Sequence, residues 1–148
     1  MPMSPHIMQI LLVEDNPSDV ELITTAFEDC KFEHDINSAS DGEEALDYLY
    51  QRGKHDNAPR PDLILLDLNL PRQNGQEVLE VIKNDPALRS IPVIILTSSQ
   101  AEKDIVRSYN LHANCYIIKP VDLVKFLDVV QAVENFWFSI VKLPKLAA

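Results

Sequence analysis

Three short stretches of the chain are apolar almost without interruption: residues 7–13 (IMQILLV), 63–66 (LILL) and 91–96 (IPVIIL). They are too short for ordinary helices and lack the alternation of a half-wet strand. They therefore read as strands buried on both faces, a pattern that belongs to parallel sheets covered by helices. The segments between them agree. After a turn cluster at Glu14, Asp15 and Asn16, Pro17 suits a first helical turn, and Val20, Leu22, Ile23, Ala26 and Phe27 recur at helical spacing.

Residues 35–39 read as a weaker strand, ended by Ser40, Asp41 and Gly42 before a helix marked by Ala45, Leu46, Tyr48 and Leu49. Residues 53–61, polar with two prolines, read as a loop, and helices are expected over 76–83 and 100–110. A strand at 116–118 and a helix from about 122 to beyond 133 close the set. Five strands alternating with five helices predict one α/β domain with a doubly wound parallel sheet, its core over about 7–133. The remainder, 134–148, is an apolar extension, and the length leaves no room for an output domain.

Composition excludes several classes. Thirteen Lys and Arg against 23 Asp and Glu leave a net charge of −10, with no basic patch to meet phosphate backbones, so no nucleic acid is expected. No apolar run approaches the length of a membrane span, and residues 1–6 do not resemble a secretory signal. Cys30 and Cys115 stand alone, and His6, His34, His55 and His112 share no ligand spacing. A reduced, cytoplasmic protein is expected.

In open α/β sheets, ligands bind beyond the carboxyl ends of the strands. Here those ends carry Glu14 and Asp15, then Asp67, then Thr97 and Ser98, then Lys119. Carboxylates at close quarters repel unless a cation joins them, and hard oxygen ligands suit Mg²⁺. A lysine and a hydroxyl can hold phosphoryl oxygens, and an aspartate can itself accept the group. Taken singly, each acid or Thr97 also reads as a helix cap, and Lys119 as a solvated lysine.

The ordered motifs E-D-N-P at 14–17, L-L-D-L-N-L-P at 65–71, L-T-S at 96–98 and I-K-P at 118–120 resemble the receiver domain of two-component response regulators. The resemblance implies a flavodoxin-like (βα)5 fold with strand order 2-1-3-4-5 and phosphoryl transfer from a sensor histidine kinase to Asp67. It implies Mg²⁺ held by Asp15, Asp67 and the backbone carbonyl of Asn69, with Glu14 acting through a water. Thr97 would bind a phosphoryl oxygen, Lys119 would pair with its charge, and Tyr116 would rotate inward as Thr97 moves. The surface of the fourth helix, fifth strand and fifth helix would then change shape, for signalling or for relay to a phosphotransfer protein. A protein of this kind is a phosphoacceptor rather than an enzyme acting on a separate substrate.

Along the last helix, Leu123, Phe126, Leu127, Val130 and residues 133–137 form a core-facing stripe, with Val129, Val133, Phe136 and Ile140 beside it. Apolar residues beyond core needs suggest a homodimer through Val129, Val133, Phe136, Trp137 and Ile140. The loop at 53–61 and the F-W-F at 136–138 resemble small receivers that serve phytochrome-type light-sensing kinases. Three other readings compete. A flavodoxin-type electron carrier needs a phosphate loop where this chain has acids. A phosphatase using Asp67 needs a general acid where Asn69 stands. A receiver that docks without phosphorylation has nothing in its favour, because every required side chain is present.

Overall fold

The computed structural model describes residues 7–70, 75–97, 115–119 and 122–140, the side chains of Cys115, Tyr116 and Ile140 excepted. In chain order these form β1 (Met8–Val13), α1 (Pro17–Phe27), β2 (His34–Ala39), α2 (Gly42–Leu49) and a 3-10 turn (Gly53–His55). Next come β3 (Leu63–Asp67), α3 (Gly75–Asn84), β4 (Val93–Thr97), β5 (Cys115–Ile118) and a long last helix (Leu123–Ile140). Every strand pairing is parallel, in the order β2-β1-β3-β4-β5. The fold class expected from the apolar runs is the one observed. The helix expected over 100–110 lies outside the described residues.

The near-continuous apolar runs are explained by two cores, one on each sheet face. Leu11, Val13, Ile64, Leu66, Val93 and Ile95 pack with Ala45 and Tyr48 of α2 and with Val78, Leu79 and Ile82 of α3. Ile10, Leu12, Leu63, Leu65, Ile94 and Leu96 pack with Ile23, Ala26 and Phe27 of α1 and with Phe126, Val130, Val133 and Trp137 of the last helix. Successive strand residues thus serve opposite layers, each contributing about 1.5–3 kcal/mol of burial. β2 read weakly because it is an edge strand, with Asp35, Asn37 and Ser38 exposed.

The helix starts are built from local polar chemistry. Asn16 caps α1, its Oδ1 accepting from the N–H groups of Ser18 (2.9 Å) and Asp19 (3.2 Å) ahead of Pro17. Asp41 caps α2 by accepting from the Glu44 N–H at 2.8 Å, while Glu44 Oε1 accepts from the Ser40 N–H at 2.9 Å, close to a capping box.

The last helix corrects part of the expected pattern. Trp137 and Val133, expected on a dimer surface, are 4% and 5% exposed and belong to the domain's own core, Trp137 lying 6.5 Å from the Phe32 ring. Leu123 and Leu127, expected toward the core, are exposed instead. The helical stripe is narrower than the run of apolar residues, because Glu134 takes a buried place within it. Its Oε2 accepts from the Lys31 N–H at 2.6 Å, tying the helix to the loop after α1. Ile140 lies in the helix with its side chain outside the described residues.

Candidate functional site

Register brings the strand ends together. Val13 pairs with Leu66 and Thr97 with Ile118, so Glu14 follows β1 beside Asp67, the last residue of β3, and Lys119 follows β5. The pairing continues one residue further, through Glu14 N–H to Ala39 (3.0 Å), Leu68 N–H to Leu96 (2.9 Å) and Lys119 N–H to Thr97 (2.7 Å). That continuation pins the backbone from which the polar side chains project. β4 lies between Asp67 and Lys119, so the lysine and aspartate side chains together bridge about 10 Å of sheet width.

The Lys119 ammonium lies 2.8 Å from Glu14 Oε1, 3.0 Å from Asp19 Oδ2 and 3.1 Å from Asp67 Oδ2. Glu14, Asp67 and Thr97 are buried, whereas Asp15 is exposed at the rim. One carboxylate oxygen from each of Glu14, Asp15 and Asp67 lies within 4.8 Å of the others. Glu14 Oε2 accepts from the Asn16 N–H at 3.1 Å and Asp67 Oδ1 from the Asn69 N–H at 2.8 Å. Glu14 Oε1 is buried and meets the ammonium without the directionality of a hydrogen bond.

Charge explains the titration. Burial pushes Glu14 up to about 7; the Lys119 ammonium opposes that rise and the Asp67 charge adds to it. Burial alone would lower Lys119, but the carboxylates of Glu14, Asp19 and Asp67 outweigh it and hold the lysine above its usual range. Three acids with one ammonium, one oxygen of them buried off any hydrogen-bond direction, fit a hard divalent cation.

The capping alternative loses ground, because Asn16 rather than Glu14 or Asp15 caps α1. Thr97 sits at the end of β4, and Tyr116 lies on β5 opposite Ile95, its side chain outside the described residues. Val129 is half-buried and Phe136 is 37% exposed, far along the last helix from this rim.

Two participants escaped the sequence reading. Asp19 stands in the first turn of α1, and its signal was its position one helical turn after Asp15. Gly75 opens α3 against the site: a Cβ there would overlap the Asp67 carbonyl oxygen and lie 2.6 Å from the Leu68 Cα. Only glycine lets the helix start this close to the aspartate's peptide.

Comparison with known proteins agrees with this geometry. Residues 10–131 match the response regulator receiver domain. Response regulator Rcp1 of Synechocystis sp. is 45% identical over 135 residues, 91% of this chain and 92% of that protein. The probable methanogenesis regulatory protein FilR2 of Methanothrix harundinacea is 42% identical over 132 residues, 88% of this chain and 83% of that one. Among solved structures, the phosphorylated cyanobacterial phytochrome response regulator RcpA superposes with a TM-score of 0.80 at 48% identity, covering 94% of this chain and 99% of its own. The Mn²⁺-bound form of Rcp1 gives 0.78 at 44% identity, covering 93% and 99%. An acidic strand-end rim on a 2-1-3-4-5 sheet, with a family match over most of the chain, places it in the response regulator receiver domain family.

Proposed function

We propose that this receiver accepts a phosphoryl group from a sensor histidine kinase on Asp67, in a Mg²⁺-dependent reaction. The observation that carries the reading is the buried Asp67 carboxylate, set among Glu14 and Asp15 and 3.1 Å from the Lys119 ammonium. An Asp67 oxygen attacks phosphorus as the P–N bond to the kinase's histidine breaks and the imidazole leaves with the electron pair, and the resulting acyl phosphate meets Lys119 as its counter-charge and the Thr97 hydroxyl as a donor. Asp15, Asp67 and the Asn69 carbonyl would hold the cation, and Glu14 would act through a water. Magnesium, when bound there, supplies positive charge against the phosphoryl oxygens. Tyr116 then moves with Thr97 and changes the surface used for signalling or relay. Such a protein takes part in its own phosphorylation and dephosphorylation.

The relative RcpA, named a phytochrome response regulator, supports a phytochrome-type light-sensing kinase as the partner, and the cytoplasm is the proposed place of their meeting. Exposed Phe136 and half-buried Val129, one above the other on the same face, support a homodimer through the last helix. Trp137 belongs to the core and is left out of that surface.

The test is intact mass after incubation with Mg²⁺ and a small phosphodonor. One phosphoryl adduct is expected on the wild type, and none on Asp67→Asn or after chelation. A folded wild type that takes up no phosphoryl group, with hydrolysis controlled for, would refute the assignment. For the dimer, Val129→Ala with Phe136→Ala is expected to lower the solution mass by half.

A further inference from the structure

Asp19 lies outside the triad of Glu14, Asp15 and Asp67, yet it shares the Lys119 ammonium with Glu14 and Asp67. We propose that Asp19 is a positioning residue: it competes with the incoming phosphoryl group for the Lys119 ammonium and thereby restrains phosphoryl acceptance at Asp67. The proposal rests on the roles given above to Asp67 and Lys119.

An ammonium has three N–H donors. Here three carboxylates approach it, at 2.8 Å from Glu14, 3.0 Å from Asp19 and 3.1 Å from Asp67. The lysine side chain is 14% exposed and that of Asp19 is 19% exposed, so water screens these contacts only in part. A phosphoryl oxygen therefore meets an ammonium whose charge three carboxylates already share.

Chemistry releases one of them. With acetyl phosphate as donor, the Asp67 oxygen forms its bond to phosphorus as the donor's P–O bond breaks, and acetate leaves with the electron pair. The Asp67 carboxylate loses its own charge on becoming the acyl part of the acyl phosphate, and that oxygen's claim on the ammonium weakens. Glu14 stays buried in the acidic pocket. Asp19 alone among the three sits on a helix, where the Asn16 side chain fixes its N–H. Its full charge continues to draw the ammonium toward α1 while negative charge builds on the phosphoryl oxygens.

The test measures the rate of adduct formation with Mg²⁺ and acetyl phosphate, by intact mass. The proteins are wild type, Asp19→Asn, Asp19→Ala, Lys119→Met and the Asp19→Asn/Lys119→Met pair, each with its melting temperature. Removing the Asp19 charge is expected to speed acceptance about threefold or more. The gain should vanish in the Lys119→Met background, because Asp19 acts through the lysine. A purely structural role could only slow the reaction and lower the melting temperature. An unchanged or slower rate in both folded Asp19 variants overturns the proposal, as does an equal gain without Lys119. No adduct on the wild type overturns the reading of Asp67, and this proposal with it; a wild-type adduct with an indifferent Asp19→Asn overturns this proposal alone.

Discussion

Replacing Gly75 with alanine tests whether the start of α3 is built onto the phosphoacceptor. The new Cβ would stand 2.6 Å from the Leu68 Cα and overlap the Asp67 carbonyl oxygen. Ordinary carbon contacts lie near 3.5–4.0 Å, so helix and strand end must part by about 1 Å. Overpacking of this kind costs about 1–3 kcal/mol, toward the upper end here because the neighbours are backbone. Reduced freedom of the unfolded chain returns about 0.4–1 kcal/mol. The net loss is about 2 kcal/mol. At about 2.1 cal/mol/K per residue, 148 residues give an unfolding entropy near 0.3 kcal/mol/K, so the melting temperature should fall by about 6 °C. Circular dichroism melts measure that, and intact mass with a phosphodonor should show slowed acceptance, because the displaced peptide carries Asp67. Gly53→Ala is the control: φ is +59° with nothing within 4 Å, so it should cost about 1–2 kcal/mol without altering acceptance. A Gly75→Ala protein melting within 1 °C of wild type and phosphorylated at the wild-type rate would refute the reasoning.

Glu44 and Glu14 predict opposite pH behaviour. Burial would raise Glu44, but the Ser40 N–H, Lys54 and His55 outweigh it and hold the carboxyl at about 2, against a usual 4.5. Its stabilisation, about 1–2 kcal/mol after screening, is therefore full above pH 4.5 and lost as pH falls toward 2. The gap in melting temperature between wild type and Glu44→Gln should close over that window; a gap as wide at pH 2 as at pH 6 would contradict the pairing. Glu14, raised from 4.5 to about 7 chiefly by burial, favours the metal-free fold below pH 4.5 and withdraws that contribution as pH rises through 7. Cation binding needs the carboxylate, so Mg²⁺ affinity should weaken by about tenfold from pH 8 to pH 6. Calorimetric titration at the two pH values checks this, and Glu14→Gln should flatten the dependence.

The fold was legible because its central strands are buried on both faces, and burial leaves uninterrupted apolar runs in a sequence. Edge placement weakened the signal of β2 for the same reason, since Asp35, Asn37 and Ser38 need no apolar neighbours. Glu14, Asp67 and Lys119 were legible because strand ends in a parallel sheet converge whatever the loops do. Asp19 was not, because an acid in the first turn of a helix is ordinary helix chemistry. Only the three-dimensional reach of Lys119 gives it a partner. Gly75 was hidden similarly, since close approach of two backbones leaves no pattern beyond one small residue. The outward face of the last helix was misread because apolar periodicity counts residues, not neighbours: it could not show that Trp137 would find Phe32 while Leu127 would find solvent.

The charge count of the rim explains why this arrangement suits a reversible switch. Counted as ionised, Glu14, Asp15, Asp19 and Asp67 leave the site three charges short of neutrality with Lys119 as the lone cation among the described contacts. A divalent ion reduces that deficit to one. Phosphorylation then brings about two negative charges, but removes the charge of Asp67 by making it an acyl phosphate. The site therefore changes by only about one charge, although a dianion has entered it. Under the proposed acceptance at Asp67, where the charge sits changes more: it leaves the carboxylate at the end of β3 for the phosphoryl oxygens proposed to meet Lys119 and Thr97. A small net cost keeps acceptance and loss both accessible, and the relocation of charge gives the neighbouring strands something to respond to. In the role proposed for it, Asp19 biases that balance from the first turn of α1 through its contact with Lys119.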